Sequence, residues 1–182
     1  YLAAARARPG EISVGTQGNA TAAHFALAAL QERTGTRFLH APYRGGAAAA
    51  ADLASGSIDS VLITMLSAGP IVDSGRARFL AVTSPRRIAA RPNVPTFREL
   101  GVTGMEISEW VGLFGPAGLP AEIAARLHDA LRTALGDPAA QQRLGALAAE
   151  TIGSSPGEFA AFVAEGRERM GALVRSANIT LD

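Results

Sequence analysis

The chain has 182 residues, 48% hydrophobic and 18% charged, a globular composition long enough for one domain or one and a half. Its 17 basic residues, all arginine, nearly balance 16 acidic ones for a formal charge of +1, and no basic stripe interleaved with aromatics forms, which argues against nucleic acid as a partner. The lack of cysteine excludes disulfides, thiolate metal sites and thiol nucleophiles together, and no apolar run approaches the roughly 18 residues a membrane span needs.

The chain opens in what reads as a helix, Tyr1-Leu2-Ala3-Ala4-Ala5-Arg6, closed by Pro9-Gly10, so upstream sequence is expected to be missing. Ile12-Ser13-Val14 reads as a strand that ends in the polar loop Gly15-Thr16-Gln17-Gly18-Asn19. A helix over 21–33 follows, with Ala23, Leu27, Leu30 and Thr34 on one face and Gly35 as its stop signal. Residues 36–41 are the next strand, Pro42-Tyr43-Arg44-Gly45-Gly46 a turn, and the alanine-rich run to Ser55 a helix closed by Gly56. A third strand is predicted over 58–63, a short helix over 68–74 and a fourth strand over 78–83. This alternation with short connections implies a parallel sheet covered by helices on both faces.

From Ser84 to Gly104 prolines and glycines punctuate a surface excursion in which only 96–100 looks helical. Residues 110–114 are predicted as a strand ending at Gly115-Pro116-Ala117-Gly118. After Pro120 comes an amphipathic helix with Ile123, Leu127, Ala130, Leu131 and Ala134 on one face, ending at Gly136. Asp137-Pro138 caps a shorter helix to about Leu147, and Ser155-Pro156-Gly157-Glu158 has the pattern of a capping box. The last helix turns Phe159, Phe162, Val163, Met170, Leu173 and Val174 inward. Three helices need a sheet to cover, and one strand cannot supply it, so the partner strands are expected before residue 1.

No nucleophile elbow, Walker loop, dinucleotide fingerprint or His-Glu-x-x-His motif is present, and His24, His40 and His128 stand at spacings that match no metal motif. The histidines read as packing or hydrogen-bonding residues; no catalytic residue, metal or cofactor is expected. Two turns do stand out, each a strand, a small-residue loop and a helix start: residues 15–21 and 43–47. A helix N-terminus offers unpaired N–H groups and a positive dipole end, glycine admits an anion to the backbone, and parallel sheets bind ligands beyond their strand C-termini. The alternative reading is that these small residues only make tight turns and caps.

Gly18-Asn19 with His24, then His40-x-Pro42-Tyr43-Arg44-Gly45-Gly46-Ala47, Asp52-Leu53, Gly56 and Asp59, resembles the tripartite tricarboxylate transporter receptors, also called the Bug family. Leu80-Ala81-Val82-Thr83-Ser84, Asn93-Val94-Pro95-Thr96, Gly112-Leu113-Phe114-Gly115-Pro116-Ala117-Gly118 and Ser155-Pro156-x-Glu158-Phe159 continue the match in order over essentially the whole chain. The resemblance implies a periplasmic solute-binding receptor of the type II periplasmic-binding-protein architecture, an α/β fold of two lobes that closes on a carboxylate and delivers it to membrane transporter subunits. On that pattern residues 1–9 end a first-lobe helix or linker, 10–106 form the complete second lobe, and 107–182 are the mostly helical C-terminal part of the first. The first lobe's glycine-rich carboxylate loop would be absent.

The expected half-site is Thr16, Gln17, Gly18, Asn19, Ala20 and Thr21, with Thr64 and Met65 from the facing strand end. Backbone N–H groups and the Asn19, Thr21 and Thr64 side chains would hold a carboxylate directly or through water. The Gly45-Gly46-Ala47 loop joins them only if the strand order places it there. Two departures bear on the solute. Ile63 stands where the family often has an aspartate, which removes an ammonium partner and disfavours an amino acid, and Ala23 replaces a usual proline. The rival readings are the effector domain of a transcription regulator with the same fold, which would need an upstream DNA-binding helix pair, and a small α/β enzyme. Helix faces left uncovered predict a homodimer or an exchange of C-terminal helices between two copies.

Overall fold

The structure is a computed structural model that describes residues 1–146 and 149–176. Its elements in chain order are α1 (Leu2–Ala7), β1 (Ser13–Thr16), α2 (Ala22–Thr34), β2 (Leu39–Pro42), α3 (Gly46–Ser55), β3 (Ser60–Leu62), α4 (Met65–Asp73), α5 (Ala121–Leu135), α6 (Pro138–Ala146) and α7 (Pro156–Ser176). Contacts divide the chain into two units, Tyr1–Glu109 with the chain from Ala172 onward, and Trp110–Gly171.

The first unit is a parallel sheet of order β2-β1-β3. β1 is the central strand, and Thr16 pairs with both Pro42 and Leu62, so the three strands end level. All four β1 residues are buried. Gly15 is required there: a Cβ would stand 2.7 Å from Ile58 Cδ1 and 3.2 Å from Val61 Cγ1. At the other end of the sheet, the Asp59 carboxylate accepts from the Ser13 N–H (2.9 Å) and hydroxyl (2.7 Å), tying β1 to β3. α1 is held by Tyr1, which stacks on Phe38 and bonds Ser60 Oγ at 2.7 Å.

The core gathers Ile12, Val14, Leu27, Leu30, Phe38 and Met105. α2 buries five consecutive residues, Ala26–Leu30, rather than the single predicted face. Its alanines let neighbours approach closely around the helix, and the segment carrying Phe97, Val102 and Met105 packs against the same core. Helix ends follow the local signals: Gly35 and Gly56 take left-handed φ values of 62° and 79°.

The predicted fourth strand is not formed. Within 78–83 only Val82 pairs, in an isolated parallel bridge to Thr96, and Pro95 has no N–H with which to extend the pairing. Residues 96–100 make a turn instead of a helix, closed by Gly101 at φ 81°, with Thr96 and Glu99 exchanging side-chain and backbone bonds of 2.7 and 3.1 Å.

In the second unit the predicted strand over 110–114 is irregular. A strand needs an edge to pair with, and the described residues of this unit form no other strand. Trp110 instead meets Phe159 and Phe162 edge-on at 5.6 and 5.5 Å, while Val111 is fully exposed. The face of α5 also differs from expectation: Ile123 and Leu127 are exposed, and the half-buried positions are Ala124, His128, Leu131 and Leu135. With no sheet in this unit to cover, nothing draws the more apolar face inward. The capping box at the start of α7 forms as predicted, with Ser155 N–H to Glu158 at 2.8 Å and Glu158 N–H to Ser155 Oγ at 3.3 Å. Leu147, the expected end of α6, lies outside the described residues.

Candidate functional site

Three level parallel strands deliver three loops to one edge of the sheet, and each loop starts a helix. Residues 17–21 lead into α2, 43–45 into α3, and 63–64 into α4, with Thr21, Gly45 and Thr64 as the N-cap residues. None of these helices carries an acidic residue in its first turn, whereas α5 and α7 carry Glu122 and Glu158 there. The positive dipole ends on this edge are therefore not opposed by their own side chains, an arrangement suited to an anion.

The strand order decides the point that sequence left open. The loop before α3 adjoins the one before α2: Tyr43 N–H bonds Thr16 O at 3.0 Å, and Gly45 N–H bonds Gln17 O at 3.3 Å. Gly46 faces the first turn of α4, where a Cβ would stand 2.5 Å from Ser67 Oγ. The Gly45-Gly46-Ala47 turn thus belongs with the other two. Tyr43 is steadied from behind by its hydroxyl's bond to Asp52 at 2.7 Å, a bond that raises the phenol's pKa.

Thr16 is fully buried, and its Oγ1 lies 2.7 Å from His40 Nε2. Gln17 donates its side-chain amide to Glu109, a carboxylate at the site that the sequence reading did not anticipate. Gly18 has φ 137°, where a side chain would be strained and its Cβ would approach Tyr43 O at 3.3 Å. Asn19 is exposed. Among the described residues Ala20, at φ 54°, is the non-glycine residue with a left-handed backbone, and its N–H donates to His24 Nδ1 at 3.1 Å. Thr21 Oγ1 donates to Gly18 O at 2.8 Å and accepts from His24 N–H at 3.4 Å. Thr64 caps α4 by accepting from Ser67 N–H at 3.4 Å, and Met65 is the first helical residue. The hydroxyls of Thr21 and Thr64, expected to meet a carboxylate, are thus committed to capping.

His24 and His40 stack at 4.2 Å behind this loop. Burial lowers both pKa values, and the charge of His24 helps push His40 down to about 4, so both rings are neutral near pH 7. The resemblance motifs contain both residues, but their stacking joins α2 to β2 and is invisible in one dimension. Among the described residues no group of His, Asp and Glu is placed to hold a metal, and no helix is long and apolar enough to cross a membrane.

The family model described as the tripartite tricarboxylate transporter family receptor, TctC, matches residues 1–179. The chain belongs to the TctC receptor family. It is 34% identical over 174 residues to the UPF0065 protein in the tcbD-tcbE intergenic region of Pseudomonas sp. strain P51, covering 95% of this chain and 52% of that protein. Among solved structures, one described as a periplasmic transporter superposes with TM-score 0.88 at 32% identity, covering 100% of this chain and 60% of that one. R. palustris Rpa4515 with adipate superposes with TM-score 0.86 at 28% identity, covering 98% and 60%. The chain spans about half the length of the curated relatives it matches. TctC proteins are receptors of the periplasmic-binding-protein kind rather than enzymes, and these matches lend no support to a regulator's effector domain.

Proposed function

We propose that the chain is a fragment of a periplasmic receptor that captures a small carboxylate and hands it to the membrane subunits of a tripartite tricarboxylate-type transporter. The observation that carries this reading is the convergence of three helix N-termini, free of acidic first-turn residues, on the edge formed by Thr16, Pro42 and Leu62. In this reading residues 10–106 are a complete second lobe, 1–9 a linker or helix end, and 107–182 the C-terminal part of the first lobe. Thr16, Gln17, Gly18, Asn19, Ala20, Thr21, Thr64 and Met65 form the solute half-site, with Gly45 and Gly46 beside them. Since the hydroxyls of Thr21 and Thr64 serve as caps, the contact to an anion falls mainly to backbone N–H groups and Asn19.

Ile63 offers no charge to an ammonium group, which favours a carboxylate without one. Adipate, bound by a structural neighbour, is the natural first probe. One or two charge-assisted bonds on a single open lobe leave roughly −4 kcal/mol, a dissociation constant near ~1 mM. Titration of labelled protein with adipate is expected to shift the amides of Gly18–Thr21 and Gly46 in that range, and Gly18→Val to abolish the shifts while the fold persists. Unchanged affinity in Gly18→Val refutes the half-site, and micromolar affinity refutes its division between two lobes.

A further inference from the structure

The loop between β1 and α2 carries a non-glycine residue in the left-handed region, Ala20 at φ 54°, two positions after Gly18 at φ 137°. Alanine resists that conformation, so its surroundings must hold it. The Ala20 N–H donates to His24 Nδ1 at 3.1 Å. An Nδ1 that accepts a bond carries no proton, so the neutral ring has its proton on Nε2. The His24 ring is fixed in turn by His40 at 4.2 Å, and His40 Nε2 meets Thr16 Oγ1 at 2.7 Å. The Gly18 N–H reaches the same Thr16 Oγ1 at 3.4 Å. The imidazole pair therefore grips the loop at both ends.

We propose that His24 is a positioning residue for the solute loop, holding Ala20 in its left-handed conformation only while Nδ1 is unprotonated, so that the loop and its hold on an anion loosen together on acidification. This rests on the reading of residues 16–21 as solute-binding. Among the described residues neither imidazole is hydrogen-bonded to a carboxylate: β1 presents Thr16, β2 presents His40, Tyr43 is bonded to Asp52 of α3, and Glu109 is taken by Gln17. Burial lowers both rings, and the neighbouring His24 adds to the depression of His40, which is pushed down to about 4. The grip is then present above the ordinary histidine range and is lost as pH falls through the lowered value of His24.

The test uses the labelled 182-residue chain, with ring nitrogen shifts of both histidines and Ala20 amide exchange followed from about pH 7.5 to 4, corrected for intrinsic exchange. His24→Asn supplies an oxygen acceptor near Nδ1 that does not titrate, and His24→Leu supplies none. Ala20 protection is expected to fall roughly 2- to 13-fold as His24 protonates, the span of one neutral hydrogen bond. It stays flat and high in His24→Asn and low at every pH in His24→Leu. The dissociation constant for adipate should weaken by a similar factor in the parent and show no such pH dependence in His24→Asn. Protection that ignores His24 protonation, or a His24→Asn profile identical to the parent's, overturns the proposal. If Ala20 tracks His24 while adipate moves no amide of the loop, the solute reading fails and with it the claim on the anion, but the mechanical link stands.

Discussion

The packing of α3 against α4 sets how closely two of the three helix starts approach, and Gly46→Ala perturbs it at one atom. The added Cβ would stand 2.5 Å from Ser67 Oγ and 2.8 Å from Ser67 Cβ, so one of the two helix starts must move by more than half an ångström. Overpacking of this kind costs about 1–3 kcal/mol. Replacing a glycine whose φ suits alanine restricts the unfolded chain and returns about 0.5–1 kcal/mol, so the single variant should lie between neutral and ~2.5 kcal/mol destabilised. Ser67→Gly removes both obstructing atoms, and in that background Gly46→Ala should be favourable by about 0.5–1 kcal/mol. The coupling energy of the pair is therefore expected at about 1–3 kcal/mol. Hydrogen exchange of the buried β1 amides, from Val14 to Thr16, reads the stability of this unit without interference from the second. A coupling below about 0.5 kcal/mol would mean that Gly46 and Ser67 do not constrain each other, and the close approach of these helix starts would be wrong.

Asp59 is held below the usual carboxylate value of 3.8 chiefly by the Ser13 N–H, then by the Ser13 hydroxyl. Its contribution is present above that value and is lost as pH falls through the lowered one. Asp59→Asn should flatten the acid limb of unfolding stability below the usual carboxylate value of 3.8, and an unchanged slope would sink the assignment. Val111, Leu113 and Phe114 are 101, 60 and 64% exposed, so the isolated chain is expected to associate as a homodimer or by exchanging C-terminal helices. Light scattering that gives a monomer at high concentration refutes this.

The sequence by itself determined what depends on a few adjacent residues. Gly35 and Gly56 end helices because only glycine takes their φ cheaply, and Ser155 and Glu158 start one because their bonds close within a single turn. The strand–loop–helix rhythm of residues 12–74 was legible for the same reason, and the order of motifs was enough to reach the family. What sequence could not decide depends on partners far along the chain. The strand expected over 110–114 lacks an edge to pair with, and the apolar face of α5 lacks a sheet, because pairing and burial belong to neighbours rather than to the segment. The strand order β2-β1-β3 brings Gly46 beside Ser67 and sets the second loop beside the first. Likewise the 4.2 Å stack of His24 on His40, which turns two unremarkable histidines into the clasp of the loop, exists only because α2 and β2 pack together.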